Sequence, residues 1–341
     1  MIYFDVTKAR SVKHRSGLAR LSDRLRNELG AAASAATWEE ARASAVTSDW
    51  FVTSELFSEG ERPGFGAFLD SRCCRTAAIF ADAIPLKHPR ITWPHSVARH
   101  PHYLKMLAHF DRVWAISAAS RTELVDYWRW LGLERTPPVE VLPLGADFDG
   151  RPRTAAPAPP ASGPANLLCV GILEPRKNQL FLLEVCDELW RAGLKFNLHL
   201  VGRVNPHFGA PVVRRIRELK KRWAGLHFHE AASDAQLATL YAEADATVFP
   251  TIAEGCGLPL LESLWRGVPC VASDLAVLRE NADGGGCLLA ELNSAEAWTA
   301  ALRDVIGRTA RQSRLREEAA TRPLPTWAET AKILQAGLAQ A

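Results

Sequence analysis

Short β-branched or aromatic runs alternate with longer helical stretches twice over in this chain, and a segment that fits neither pattern separates the two series. In the first series the pattern predicts strands near 2–6, 49–53, 77–80, 113–116 and 139–142, and helices over 17–30, 96–108 and 119–131. "GRPRTAAPAPPASGPA" (150–165) interrupts it, rich in Pro, Ala and Gly and poor in large apolar residues, a composition suited to a semi-rigid linker. The second series predicts strands at 166–172, 196–202, 227–229, 246–250 and 269–273, and helices near 178–192, 211–223, 234–244, 259–266 and 293–306. Such repetition builds βαβ units and parallel sheets with helices on both faces. The expected fold class is therefore α/β: two doubly wound, Rossmann-like domains facing each other across a cleft, over 1–150 and 166–322, with the linker at 151–165. A length of 341 residues agrees with two domains of ordinary size.

Composition narrows the class. Apolar residues at 48% and charged residues at 23% match soluble globular proteins, and no apolar run is long enough to cross a bilayer. "MIYFDVTKAR" places Asp5 where a signal peptide would still be apolar and reads as a first buried strand, so a cytoplasmic protein is expected. The seven cysteines are scattered without zinc-type spacing, and reduced, packed thiols are expected. A net charge of +3 is too small to imply nucleic acid. "KARSVKHRSGLARLSDRLR" (8–26) and "RRIRELKKR" (214–222) are strongly basic: either solvated helix faces, or a sign of an anionic acceptor or a peripheral contact with the anionic inner leaflet.

The most informative stretch is "FPTIAEGCGLPLLESLWRGVPCVASD" (249–274). The strand ends at Pro250, a loop carries Glu254, Gly255, Cys256, Gly257 and Leu258, and Pro259 sits in the first turn of a helix, where its missing N–H costs nothing. Gly267 and Pro269 end that helix. The amides at its start and the adjacent glycines suit a phosphate. Glu262 is one turn inside the helix, and helical side chains lean toward the N-terminus, so it reaches back toward whatever the phosphates carry. A carboxylate beside phosphates is tolerated when it accepts from hydroxyls. One glutamate for each sugar flanking a diphosphate describes a nucleotide-sugar.

"VGILEPRKNQL" (170–180) supplies the missing cations. A strand ends at Gly171, the chain turns through Glu174-Pro175, and Arg176 and Lys177 open a helix. Arg offers a planar donor fork and Lys a point charge, together suited to a diphosphate leaving group. Alone, the pair would read as two solvated cations; with the glycine loop in the same sheet, it reads as a site.

Taken together these segments resemble the retaining glycosyltransferases of family 4, which have the GT-B double-Rossmann architecture. "VGILEPRKN", "LHLVGR" and "ASDAQLATLYAEADATVFPTIAEGCGLPLLESLWRGVPCVASD" carry the likeness, including the glutamate, seven residues, glutamate spacing. In the first half "RSGLAR", "DAIPL", "FDRVWAISAASRTEL" and "VLPLGAD" carry it more weakly, and "TWAETAKIL" (326–334) resembles the terminal helix that crosses back to the first domain, here 323–341. The resemblance implies that Arg176 and Lys177 bind the donor diphosphate, Glu254 contacts the transferred sugar and Glu262 the ribose. Gly171, Gly202, Gly255, Cys256, Gly257 and Leu258 would line the donor site, and Gly17 would let the first domain close on the phosphates. It implies a nucleotide-sugar donor, a glycan or lipid-linked acceptor, retention of anomeric configuration, and no metal or other cofactor.

The chain departs from the family in places. Many related bacterial mannosyltransferases carry a histidine ahead of the Asp of "DAIPL", where this chain has Ala81. Asp82 remains as a base or a holder of hydroxyls, or as a cap of the following turn. Among His88, His95, His100, His102 and His109 one replaces the imidazole, or all are solvated surface; the surface reading is the expectation. Cys256 stands where an aromatic is frequent and Ile172 where a small hydroxyl residue is common. The leading expectation is sugar transfer in surface-polysaccharide synthesis, with GDP-mannose as preferred donor. A non-catalytic nucleotide-sugar-binding partner and a GT-B-fold epimerase stay open.

Overall fold

The structure, a computed structural model, describes residues 1–10, 17–147, 153 and 163–340. It divides into two compact units, one of Met1–Phe148 with Pro325–Ala341 and one of Asp149–Leu324. Most of the expected linker lies outside the described residues. Its last residue, Ala165, begins a strand.

The first unit runs β1 (Ile2–Asp5), α1 (Gly17–Leu29), β2 (Ala33–Ala36), α2 (Trp38–Ser44), β3 (Trp50–Thr53), α3 (Phe65–Ser71), β4 (Arg75–Phe80), α4 (Ile84–Lys87), α5 (Pro94–Met106), β5 (Arg112–Ala115), α6 (Ala118–Trp130) and β6 (Val139–Val141). All neighbouring strands are parallel, in the order β2-β1-β3-β4-β5-β6. Its core is aromatic: Phe51, Phe57, Phe65, Phe68 and Tyr103 are almost wholly buried and meet mostly edge to face. Central strands buried on both faces lose the apolar–polar alternation, as in Trp50–Thr53, which is buried at every position.

The second unit runs β7 (Ala165–Val170), α7 (Gln179–Arg191), β8 (Phe196–Val201), α8 (Ala210–Lys220), β9 (Leu226–His229), α9 (Asp234–Glu243), β10 (Ala246–Phe249), α10 (Leu258–Trp265), β11 (Cys270–Ser273), α11 (Ala276–Ala282), β12 (Cys287–Ala290), α12 (Ala295–Ile306) and α13 (Ala310–Thr321). Its parallel sheet has the order β12-β11-β10-β7-β8-β9. Side-chain caps start the helices where the sequence offers a hydroxyl: Ser233 with Gln236 forms a capping box at α9, and Ser294 and Thr309 cap α12 and α13.

Helix α14 (Trp327–Ala339) belongs to the first unit. A Cβ on Gly145 would fall 2.2 Å from the Trp327 nitrogen, so only glycine lets the two backbones approach. Trp327 N donates to Asp147 Oδ1 at 2.7 Å, Thr330 Oγ1 to the Pro143 carbonyl at 2.8 Å, and Trp50 Nε1 to the Leu338 carbonyl at 3.0 Å.

Seven elements beyond the expected ones appear: β2, α2, α3, α4, β12, α11 and α13. The alanine-rich 33–36 forms a strand because β1 pairs with it residue for residue, Ile2 with Ala33 through Asp5 with Ala36. The seven cysteines are unpaired and five are buried, and among the described residues no helix is long and apolar enough to cross a membrane.

Candidate functional site

The second sheet has a topological switch point. The chain steps outward from β7 to β8 and β9, then returns to place β10 on the other side of β7. Crossovers on the two sides diverge there and leave a crevice at the strands' carboxyl ends, where ligands of such sheets bind. The loops after β7 and β10 are the two segments the sequence singled out.

After β7, Gly171 and a short bridge from Leu173 to Val204 lead into a single tight turn, Pro175–Lys177. Asn178 then takes a left-handed conformation at φ 58°, which asparagine tolerates, and α7 begins. After β10, Pro250 and the loop through Gly257 lead into α10, with Gly257 left-handed at φ 82°. The loops are stitched together: Ile252 N donates to the Arg176 carbonyl at 2.8 Å, and Arg176 Nη1 donates to the Ala253 carbonyl at 2.9 Å.

The side chains converge on one carboxylate oxygen. Glu254 Oε1 accepts from Lys177 Nζ at 2.6 Å, Thr251 Oγ1 at 2.7 Å and Arg176 Nη1 at 2.8 Å. Arg176 also pairs with Glu174, whose other oxygen accepts from the buried Asn205 at 3.0 Å. Lys177 lies over Gly171, with its Nζ 4.8 Å from the centre of the Phe249 ring. Burial pulls the Lys177 ammonium below its usual range. Burial pushes the Glu254 carboxyl upward, but the fields of Arg176 and Lys177 outweigh it and hold the group below the ordinary carboxylate value. The two cations are thus both paired with Glu254 within the protein.

The remaining donor-side residues surround this cluster. Gly255, Cys256 and Gly257 are buried, and Leu258 is the first residue of α10. Burial raises the Cys256 thiol to about 12 and keeps it protonated. Glu262 is buried inside α10 and accepts from the Tyr241 hydroxyl at 3.4 Å, with Arg266 stacked over the same ring. Gly202 ends β8 at φ 150°, and a Cβ there would fall 2.1 Å from the Gly171 carbonyl oxygen. Its glycine is therefore required by the close approach of two strand ends.

Asp82 and Gly17 lie in the first unit. Asp82 Oδ1 accepts from Ile84 N at 2.9 Å, so the carboxylate does cap the turn into α4. The expectation that the histidines are solvated surface is corrected at His100: it is only 2% exposed, and its Nε2 lies 3.1 Å from the Asp82 carbonyl. Burial depresses its pKa to about 4, so it is neutral at physiological pH. Gly17 opens α1, with open space around a Cβ position.

Sequence reasoning missed Thr251, Glu174 and Asn281. Thr251 is three residues from Glu254, and a hydroxyl so placed beside a glycine loop was the available signal. Glu174 was read only as part of a turn. Asn281 donates to the Cys256 carbonyl from 25 residues away, and nothing local marks it.

Residues 164–308 match the family described as Glycosyl transferases group 1. The serotype-specific mannosyltransferase WbdA of Escherichia coli is 33% identical over 227 residues, which is 60% of this chain and 27% of that protein. The O-antigen chain mannosyltransferase B of Escherichia coli is 33% identical over 134 residues, 39% of this chain and 34% of that one. This chain therefore spans about a quarter to a third of the length of these curated relatives. Among solved structures, the sucrose-phosphate synthase of Thermosynechococcus elongatus superposes with a TM-score of 0.62 at 19% identity, covering 85% of this chain and 73% of that one. The α,α-trehalose 6-phosphate synthase of Burkholderia multivorans gives 0.68 at 13% identity, covering 97% and 77%. The fold is that of the GT-B glycosyltransferases, and the stretch that matches the glycosyl transferases group 1 model lies within the second unit.

Proposed function

We propose that this chain, built around a glycosyl transferases group 1 domain, moves a sugar from a nucleotide-diphosphate-sugar to a glycan or lipid-linked acceptor with retention of anomeric configuration. The observation that carries the reading is the convergence of Arg176 and Lys177 with the Glu254–Leu258 loop at the switch point of the second sheet. GDP-mannose is the proposed donor, supported by the mannosyltransferases among the relatives and by the "EPRKN" turn.

Breaking the bond between the sugar's anomeric carbon and the phosphate oxygen leaves the electron pair, and so negative charge, on the diphosphate. Arg176, Lys177 and the amides at the start of α10 are aimed at that charge, and each fixed donor of this kind contributes about 3 kcal/mol to the barrier reduction. As the diphosphate enters, it takes up donors that Glu254 holds in the structure, turning that carboxylate toward the hydroxyls of the transferred sugar. Glu262 takes the ribose. The acceptor oxygen attacks the same face of the sugar, and its proton leaves with the departing phosphate oxygen. Asp82, just beyond the carboxyl end of β4 in the first unit, serves as a base or a holder of hydroxyls. This assignment leaves charge neutralisation to side chains and amides, so chelator should leave the rate unchanged.

The test is incubation of the purified protein with a panel of nucleotide-sugars, reading nucleotide release and transfer to mannan or lipid-linked oligosaccharide acceptors. Arg176→Ala, Lys177→Ala and Glu254→Ala should each abolish turnover. Full activity in all three variants would refute the site.

A further inference from the structure

Asn281, the penultimate residue of α11, donates from Nδ2 to the Cys256 carbonyl, in the middle of the loop between Glu254 and α10. A trans peptide is planar, with its C=O and N–H pointing in opposite directions. Fixing the Cys256 carbonyl toward α11 therefore points the Gly257 N–H away from α11. Leu278 closes the same side: a Cβ on Gly257 would fall 2.5 Å from Leu278 Cδ2 and 3.4 Å from Asn281 Nδ2. A loop bracketed by Gly255 and Gly257 has much backbone freedom to lose, and an outside anchor limits it.

Asn281 is itself held. Arg322, which ends α13, donates from Nη1 to the carbonyls of Asn281 at 2.9 Å and Gly285 at 2.8 Å, and from Nη2 to the Asp283 carbonyl at 2.5 Å. Gly284, Gly285 and Gly286 all adopt left-handed φ, at 97°, 92° and 78°, which wraps the chain around this guanidinium. The Arg322 carbonyl in turn accepts from Arg153, whose other nitrogen donates to Ala319 and, at 3.4 Å, to Leu264 of α10.

We infer that Asn281 and Arg322 are positioning residues for the donor loop: Arg322 fixes the end of α11, and Asn281 fixes the peptide that aims the Gly257 amide at the diphosphate. The inference rests on the reading of this loop as the diphosphate site. Neither residue touches the donor. Their effect is on affinity for the diphosphate, through a loop that they hold in one conformation.

The experiment is calorimetric titration of the full chain with GDP, UDP and dTDP, alongside thermal melting, for wild type, Asn281→Ala, Asn281→Asp, Arg322→Lys, Arg322→Met and the Asn281→Ala/Arg322→Met pair. Asn281→Ala should weaken the nucleotide that wild type binds by about tenfold, the loss of one hydrogen bond's worth of organisation, at nearly unchanged melting temperature. Donor KM should rise in step. Arg322→Lys should keep part of the affinity that Arg322→Met loses. The pair should lose no more than the worse single variant, because both act through one peptide. Should Asn281→Ala fold poorly, Asn281→Asp keeps the shape and replaces the donor by a carboxylate that repels the carbonyl, with the same expected loss. Wild-type affinity in the Asn281 variants overturns the inference and leaves the donor site standing. Losses that only track melting temperature overturn it too. Failure of wild type to bind any of the three nucleotides overturns the donor reading and the inference with it.

Discussion

Lys177 Nζ lies 2.6 Å from Glu254 Oε1 in a place where the side chains are 10% and 9% exposed. Burial makes each charge costly there: Glu254 offsets Lys177, Arg176 shares in holding Glu254, and removing one partner of such a pair typically costs about 3–5 kcal/mol. Glu254→Ala should therefore destabilise the second unit by about 3 kcal/mol. Lys177→Met combined with Glu254→Gln should recover much of that loss while remaining inactive. Denaturant unfolding of both variants checks this, and a double variant no more stable than Glu254→Ala would remove the coupling.

Arg176 acts differently. At 21% side-chain exposure its ion pairs are partly screened, and their contribution to stability is small. Its fork serves Glu174, the Ala253 carbonyl and Glu254 at once. Arg176→Lys keeps the charge but not the fork, so stability should change by less than about 1 kcal/mol while nucleotide release falls roughly tenfold or more.

Two glycines with a donor-side expectation should part company. Gly202→Ala sets a Cβ against the Gly171 carbonyl, backbone on backbone, and should leave little folded protein in a thermal melt. Gly17→Ala meets open space at the start of a helix and should melt within about a degree of wild type, alanine being the better helix former. Equal melting temperatures in the two variants would contradict the close approach at Gly202.

His100 gives a pH dependence whose sign is fixed. Its folded value near 4 lies below the unfolded value of about 6.5, so between them the unfolded chain binds more protons than the native one. Stability should fall as pH drops through that window and this contribution should level off below about 4. Unfolding free energies measured at intervals from pH 7 to 4 should show a shallower slope for His100→Gln, which retains a donor for the Asp82 carbonyl but does not titrate.

The parts of the molecule legible in the sequence are those written locally. Gly257, Pro259 and Gly267 specify a loop, a helix start and a helix end from their own backbone chemistry, and α10 forms where they place it. The union of Arg176 with Glu254 spans 78 residues and depends on β10 returning beside β7, a fact of strand order that no single segment encodes. Strand β2 was hidden because Ala33-Ser34-Ala35-Ala36 has little strand preference of its own and is recruited by the exposed edge of β1. His100 was misread from its basic surroundings: α5 turns that residue inward with Tyr103 and Leu104, while His95 and His102 on the same helix stay exposed.

The first unit is completed by residues 325–341, after the second unit has been threaded between its halves. During synthesis, the seat formed by Gly145 and Asp147 must wait for Trp327 until about 180 further residues have left the ribosome. An early-folding second unit would bring that last helix home by shortening the effective loop, and slow maturation of the second unit would prolong the time for which Trp50 and Trp114 lack their cover.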